Sequence, residues 1–348
     1  MNPTAEIAIV GAGLLGRLLA WRLARLNHRV TLFDSGMPEL PNSPAYIAAG
    51  MVAPWCERIE ASPEVISLGH ISLGLWPQWL SELAQDSAQP PVHIAQGTYV
   101  VAHPLDVADW RHFVDEVHAA RRGFPVQTGE LLDAQTVAQR APDLAHFHQA
   151  LYLPDEIAID NRALLNNLNC ALQKMQVTWH SNMALSLTEV QALSSRFDKV
   201  FDCRGLGAKD ALPTLRGVRG EVMRVHSPHV RLSQVVRLVH PRYQLYIVPR
   251  AEHEFVIGAT SIESESMSPI SVRSSMELMS ALVTVSPHFF EASVLETASH
   301  CRPALPNHEP LLEQNPKHAN MWHINGLYRH GFMLSPAWIE RILAQCIF

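Results

Sequence analysis

The sequence predicts an α/β protein in which one sheet is assembled from three separated stretches of chain, while the residues between them build a second domain. Three observations predict it. The chain opens on a strand, a glycine turn, a helix and a second strand that ends in an acidic residue. Short apolar runs that lead into glycine return at 200–203 and 321–324. The length of 348 residues allows about two domains of roughly 100–200 residues each.

Taken in order, Ile7-Ala8-Ile9-Val10 suits a strand buried on both faces. Gly11-Ala12-Gly13-Leu14-Leu15-Gly16 follows, and Leu15, Leu18, Leu19, Leu23 and Leu26 then recur at helical spacing. Val30-Thr31-Leu32-Phe33 is the next strand, closed by Asp34-Ser35-Gly36. In such a unit Gly11 permits the tight turn, Gly13 lets a pyrophosphate approach the backbone, and Gly16 lets helix and strand pack closely. The N–H groups at the helix start bind the anion. Asp34, 23 residues after Gly11, is placed to accept ribose hydroxyls. A glycine-rich turn without a ligand is the alternative, but the full context of a dinucleotide-binding turn is present.

Residues 61–86 read as a helix whose Leu73, Leu75, Trp76, Trp79, Leu80 and Leu83 form a core stripe. After the break at Pro90-Pro91, strands are expected at 93–102, 243–248 and 255–259, and helices at 106–121, 162–173 and 271–284. Val200-Phe201-Asp202-Cys203 is a buried strand leading into Arg204-Gly205-Leu206-Gly207. Met321-Trp322-His323-Ile324 is a strand broken by Gly326. The last helix is expected to take Ser335 as N-cap and Pro336 as its first residue, with Ile339, Ile342 and Leu343 on its apolar face.

Composition excludes several classes. Apolar residues at 47% and charged residues at 17% fit a globular chain rather than a disordered one. A net charge of −6 offers no basic excess for a phosphate backbone, so nucleic acid is not expected as a partner. The apolar run 7–16 is far shorter than the ~20 residues of a membrane span, and the residues before it hold Glu6 and no Lys or Arg. Neither a signal peptide nor a membrane span is expected, and the expected location is cytoplasmic. Cys56, Cys170, Cys203, Cys301 and Cys346 form no C-x-x-C pair, so no disulfide framework is expected. Neither they nor the histidines, of which His146 and His148 are closest, show ligand spacing, so no metal is expected.

Several segments together resemble one family: IAIVGAGLLG and TLFDSG, AAGMVAP at 48–54, YLPDEIAIDNRALLNNL at 152–168, VRGEV at 218–222, YIVPR and VIGAT within 246–260, CRPALPNHEPLL at 301–312, and GLYRHGFMLSPA at 326–337. In this order they resemble the D-amino-acid oxidase family of flavoproteins, most of all its glycine-oxidase branch of thiamine biosynthesis. The resemblance implies FAD rather than NAD. It implies a Rossmann-like FAD domain from 1–80, 150–215 and 298–348, and a substrate domain with a large, mostly antiparallel sheet from 81–149 and 216–297.

Carried over by position, Ala12, Gly13, Leu14 and Leu15 would lie on the pyrophosphate, with Gly11 and Gly16 in the same cofactor site, and Asp34 on the ribose with Ser35 beside it. Ala49, Gly50 and Met51 would line the isoalloxazine, Ala184 would reach the adenine side by its backbone, and Gly205 would belong to the cofactor site. Leu327, Tyr328, Arg329, His330, Gly331, Phe332 and Met333 would pass the pyrimidine end of the flavin. Arg329 would bind the substrate carboxylate, supported by Arg302 and the Tyr246 phenol. Arginine suits that role because it grips a planar carboxylate with two parallel N–H bonds.

The implied reaction is hydride transfer from Cα of glycine, another small amino acid or an N-methyl amine to flavin N5. It gives an imine, then an oxo acid and ammonia, with O2 or another acceptor taking the electrons. It needs no side-chain base. FAD is expected to be non-covalent, with a bond through Cys301 as the alternative. A dehydrogenase of the same fold serving a quinone or partner protein, and a non-catalytic flavin-carrying subunit, are the rival readings; a homo-oligomer is left open. The chain departs from the family pattern at Arg204, at the prolines Pro38, Pro41 and Pro44, at Gln244, at Asn307-His308, and at Leu327 and His330.

Overall fold

The computed structural model describes residues 4–39, 43–124, 129–240 and 245–347. Pro41, Gln244 and the expected strand start at Tyr243 lie outside them. In chain order the elements are β1 Glu6–Val10, α1 Leu14–Arg25, β2 Arg29–Phe33, α2 Pro44–Ile47, β3 Met51–Val52, α3 Pro63–Ser87, β4 Ile94–Ala102, α4 Val107–Arg121, β5 Glu130–Asp133, α5 Ala134–Arg140, β6 Gln149–Ile159 and α6 Asn161–Lys174. They continue with β7 Thr178–His180, α7 Leu187–Leu193, β8 Lys199–Asp202, β9 Arg216–His226, β10 Val235–Val239, β11 Leu245–Pro249, β12 Glu254–Gly258, α8 Val272–Val285, β13 Ser293–Ala304, β14 Leu311–Gln314, β15 Met321–Asn325 and α9 Gly331–Cys346.

Among the described residues these strands form two sheets. The first runs β14-β15-β8-β1-β2-β7, so the three glycine-ended strands β1, β8 and β15 are neighbours, as their composition predicts. All of its pairings are parallel except that of the edge strand β14 with β15. Ile7, Ala8, Ile9 and Val10 of β1 are at most 1% exposed, which is what a strand covered on both faces requires. The second sheet runs β13-β9-β12-β11-β10-β4-β6-β3, with β5 on β6, and only β10 and β4 pair in parallel. The expected architecture, a parallel sheet beside a large and mostly antiparallel one, is present.

Strand pairing shows where the chain changes sheets. β6 and β13 both pair within the second sheet, which the chain leaves after Ile159 and after Ala304. α3 runs unbroken through residue 80. Apolar runs alone do not reveal which sheet a strand joins, because both sheets bury one or both faces.

The last helix begins earlier than its Ser-Pro pair predicts. α9 starts at Gly331, and Leu334 N–H already donates to His330 O at 2.8 Å. Ser335 is inside the helix, its hydroxyl donating to Gly331 O at 2.6 Å. Pro336 is interior too and has no N–H for Phe332 O, four residues back. Trp76 on α3 makes good the loss: its indole N–H donates to Phe332 O at 2.9 Å. Ser72, one turn earlier on α3, accepts from Ala337 N–H at 3.2 Å. The predicted tryptophan stripe is therefore core, as expected, and also holds the C-terminal helix.

Trp76→Phe orphans the Phe332 carbonyl and should cost about 1–3 kcal/mol in urea unfolding. In a Pro336→Ala background, where the helix supplies its own donor, the cost should shrink. Equal costs in both backgrounds would show that the indole bond does not compensate the proline.

Candidate functional site

A cavity of about 500 Å³ opens where β1, β8 and β15 end and the second sheet leans over them. At its nucleotide end the glycine turn behaves as its spacing predicts. Gly11 has φ +102°, and a Cβ on Gly16 would lie 1.9 Å from Gly11 O. Gly13 caps α1 without a side-chain bond, and the first turn holds no acidic residue, so its N–H groups are left for a ligand. A Cβ on Gly13 would meet only Ser43 Oγ, at 3.5 Å, so the space there belongs to the cavity. Asp34 accepts from Ala12 N–H at 2.6 Å and from Gly36 N–H at 2.7 Å, which ties the second strand's end to the turn. Asp34 and Ser35 both line the cavity. An uncapped helix start, an open Gly13 and a carboxylate at the strand end fit the pyrophosphate and ribose of a dinucleotide such as FAD.

Further along, Ala49, Gly50, Met51, Gly205, Leu327, Tyr328, Gly331 and Phe332 line the same cavity, so the N-terminus of α9 faces it. Three expected contacts do not line it. Ala184 is exposed, beside Met183, whose N–H donates to Asp34 O at 2.7 Å. Met333 is buried against Gly69 of α3. His330 is buried behind the lining, where desolvation pulls its pKa down to about 4 and keeps the ring neutral. Arg204, the departure from the family pattern, is held in place by two carboxylates. Its Nε and Nη2 donate to Asp202 at 2.8 and 2.9 Å, and Nη2 and Nη1 to Asp210 at 2.9 and 3.1 Å.

The substrate end gathers Arg302, Arg329 and Tyr246, as expected, and adds Glu57. The two arginines differ in what they pair with. Arg329 Nε lies 3.1 Å from Glu57 Oε2, and Nη1 lies 2.8 Å from Glu60 Oε2. Burial alone would lower its pKa, but these carboxylates raise it above its ordinary value. Arg302 pairs with no carboxylate among the described residues. Its Nη1 donates to Thr260 O at 3.1 Å, and burial lowers its pKa to about 10, leaving it charged at neutral pH. Tyr246 OH accepts from Arg237 Nη1 at 2.9 Å and donates to Glu57 Oε1 at 2.9 Å. Burial pushes its pKa well up. Burial would also raise the Glu57 pKa, but Arg329, then His330 and Arg237, outweigh it and hold the group below its ordinary value.

Glu57 has no precursor in the sequence reading, which stops at the AAGMVAP motif three residues earlier. An isolated glutamate signals nothing until its burial is known. β6 fixes it: Asp155 accepts from the Trp55 indole at 2.7 Å, and Glu156 accepts from Cys56 N–H at 2.9 Å. Glu156 is fully buried, its other oxygen has no hydrogen-bond partner, and desolvation raises its pKa to about 7. Cys301 lines the cavity, with Sγ 3.6 and 3.7 Å from the carbonyls of Ser264 and Ser266, and burial raises its pKa. Among the described residues no cluster of His, Cys, Asp and Glu is arranged to hold a metal ion, and no helix is long and apolar enough to cross a membrane.

Because the Glu156 proton is favoured in the folded state, stability should fall as pH rises from about 4.5 through about 7. Glu156→Gln should remove that slope and stabilise the fold more at pH 8 than at pH 5, by on the order of 3 kcal/mol at most, read as a larger rise in melting temperature at pH 8. Parallel melting curves at the two pH values would refute the raised pKa.

A family model described as FAD dependent oxidoreductase matches residues 6–345. A putative thiamine biosynthesis oxidoreductase ThiO of Rhizobium etli is 39% identical over 334 residues, covering 95% of this chain and 93% of that one. Among solved structures, glycine oxidase from Geobacillus kaustophilus superposes with a TM-score of 0.83 at 22% identity, covering 99% of this chain and 95% of that one. Iminodiacetate oxidase from Chelativorans sp. BNC1 superposes with a TM-score of 0.82 at 23% identity, covering 98% and 95%.

Proposed function

Since this chain belongs to the FAD-dependent oxidoreductase family, we propose that it oxidises glycine or another small amino acid or N-methyl amine at Cα. The products are an imine that water converts to an oxo acid and an amine or ammonia, with O2 reduced to H2O2. The observation that carries this reading is Arg302: a half-buried guanidinium in the wall of the cavity, whose hydrogen bonds among the described residues go to the carbonyl oxygens of Thr260 and Arg219. A buried cation without an anion is costly, and a ligand carboxylate removes that cost.

Arg302 therefore takes the principal grip on the substrate carboxylate through paired N–H bonds, with Arg329 in second place because Glu57 and Glu60 already engage it. Tyr246 stands beside them in the cavity wall and orders Glu57 through its hydroxyl. At the other end, the backbone from Gly11 to Gly16 would hold the pyrophosphate and Asp34 with Ser35 the ribose. Ala184, on the turn tied to Asp34, would lie on the adenine side. Ala49, Gly50 and Met51 would flank the isoalloxazine, with Gly205 at its edge and the segment from Leu327 through Gly331 to Phe332 at its pyrimidine end; His330 and Met333 would support that segment from behind. FAD, when bound, supplies the two-electron acceptor. The start of α9 faces the cavity, and its partial positive charge would favour negative charge on a flavin held there. A protonated, carbonyl-bonded Cys301 supports non-covalent binding.

Purified FAD-loaded protein given glycine in air should yield glyoxylate, ammonia and peroxide. Without oxygen, glycine, sarcosine or a small D-amino acid should bleach the flavin; a flavin that stays oxidised across that panel would overturn the reading. Bleaching followed by slow reoxidation in air would instead assign a dehydrogenase. Arg302→Ala should raise KM about 10- to 100-fold while FAD stays bound, and an unchanged KM would remove Arg302 from the site.

A further inference from the structure

The substrate end of the cavity holds two guanidinium groups, Arg302 and Arg329, close enough that Arg329 is the charge weighing most on Arg302. They differ in what already faces them. Both edges of Arg329 are occupied, Nε by Glu57 and Nη1 by Glu60. Glu60 is half-exposed and its pairing is weakened by solvent, whereas Glu57 is 8% exposed and lines the cavity. Glu57 cannot swing out to water, because Trp55 and Cys56 before it are pinned to Asp155 and Glu156. Its Oε1 accepts from Tyr246 at 2.9 Å and from Arg329 Nη2 at 3.4 Å, and its Oε2 lies 3.1 Å from Arg329 Nε, so the carboxylate faces that guanidinium with both oxygens. His330, on the far side, is neutral, and Arg237 lies behind Tyr246 outside the lining.

We propose that Glu57 is a specificity-determining residue: by standing as the fixed counterion of Arg329, it leaves the cavity one guanidinium to offer and so restricts it to amines bearing a single carboxylate. The proposal rests on Arg302 being the carboxylate grip. A ligand with two carboxylates would set its second group against Arg329 and beside Glu57, where a buried like charge repels it and cannot be displaced into water. With the Glu57 charge removed, Arg329 turns into a second carboxylate site of the same kind as Arg302. Glu57→Gln makes that change with little else, because the amide oxygen still accepts from Tyr246 while its NH2 group cannot pair with a guanidinium.

The test is calorimetric binding of acetate and malonate, neither of which is an amine substrate, to the FAD-loaded protein. Wild type should bind the two within about threefold of each other. Glu57→Gln should shift the preference toward malonate by about tenfold or more, the scale of one charge-assisted pair. Adding Arg329→Met to that variant should abolish the shift. In turnover, the kcat/KM ratio of iminodiacetate to glycine should rise in Glu57→Gln by a similar factor. A shift below about threefold, or one that survives Arg329→Met, overturns the role of Glu57. Acetate that binds Arg302→Ala as well as wild type overturns the underlying grip instead, so the two failures are distinct. If Glu57→Gln does not fold, wild type decides: malonate bound about tenfold tighter than acetate refutes the restriction, and parity supports it.

Discussion

Arg237 is buried behind one side of the cavity, Arg302 and Arg329 are half-buried in its wall, and each must be compensated or left for a ligand to compensate. Glu57 is the buried carboxylate set among them, reached by Arg329 directly and by Arg237 through the Tyr246 hydroxyl. This chain of contacts links β10, β11, the loop before α3 and the turn before α9, so it joins both sheets across the site. Removing one member would strand the others' charges in a medium where they are poorly screened. Arg302 stands apart from it, and that difference gives the cavity a direction: one cation is paired with carboxylates of the fold, and the other is the one proposed to hold the ligand.

The rest of the site follows from keeping this network in register. β6 carries Asp155 and Glu156 on consecutive residues, and the two carboxylates fix Trp55 and Cys56. Arg121 of α4 reaches Asp155 at 3.0 Å and lies over the Trp55 ring, so the second sheet's covering helix also sets where Glu57 sits. On the other flank, α3 holds α9 through Trp76 and Ser72 around Pro336. The backbone of the Arg329 turn is positioned by that clamp. A proline that would break an isolated helix is thereby accommodated, its missing bond made good by a side chain from a neighbour.

Much of this was legible in the residues, and the boundary has a physical basis. The glycine turn, the three glycine-ended strands and most helices were readable because their signals are local: φ preferences, period and burial of contiguous residues. Gly11, Gly16 and Asp34 hold the places their spacing predicts. The start of α9 was misread because Ser-Pro is a good local helix start, and only a tertiary donor makes an interior Pro336 tolerable. Which sheet β6 and β13 join was not legible, because an apolar strand does not name its partner.

The sequence by itself therefore determined the parallel sheet and its dinucleotide-binding turn, because each depends on residue type and spacing, whereas the second, mostly antiparallel sheet and the two arginines that face the cavity were expected only from the resemblance to a family. Tertiary structure alone decided which arginine is available. Arg302 and Arg329 are chemically identical in the chain, and they are distinguished only by the distance from each to a buried carboxylate that folding brings from more than 200 residues away.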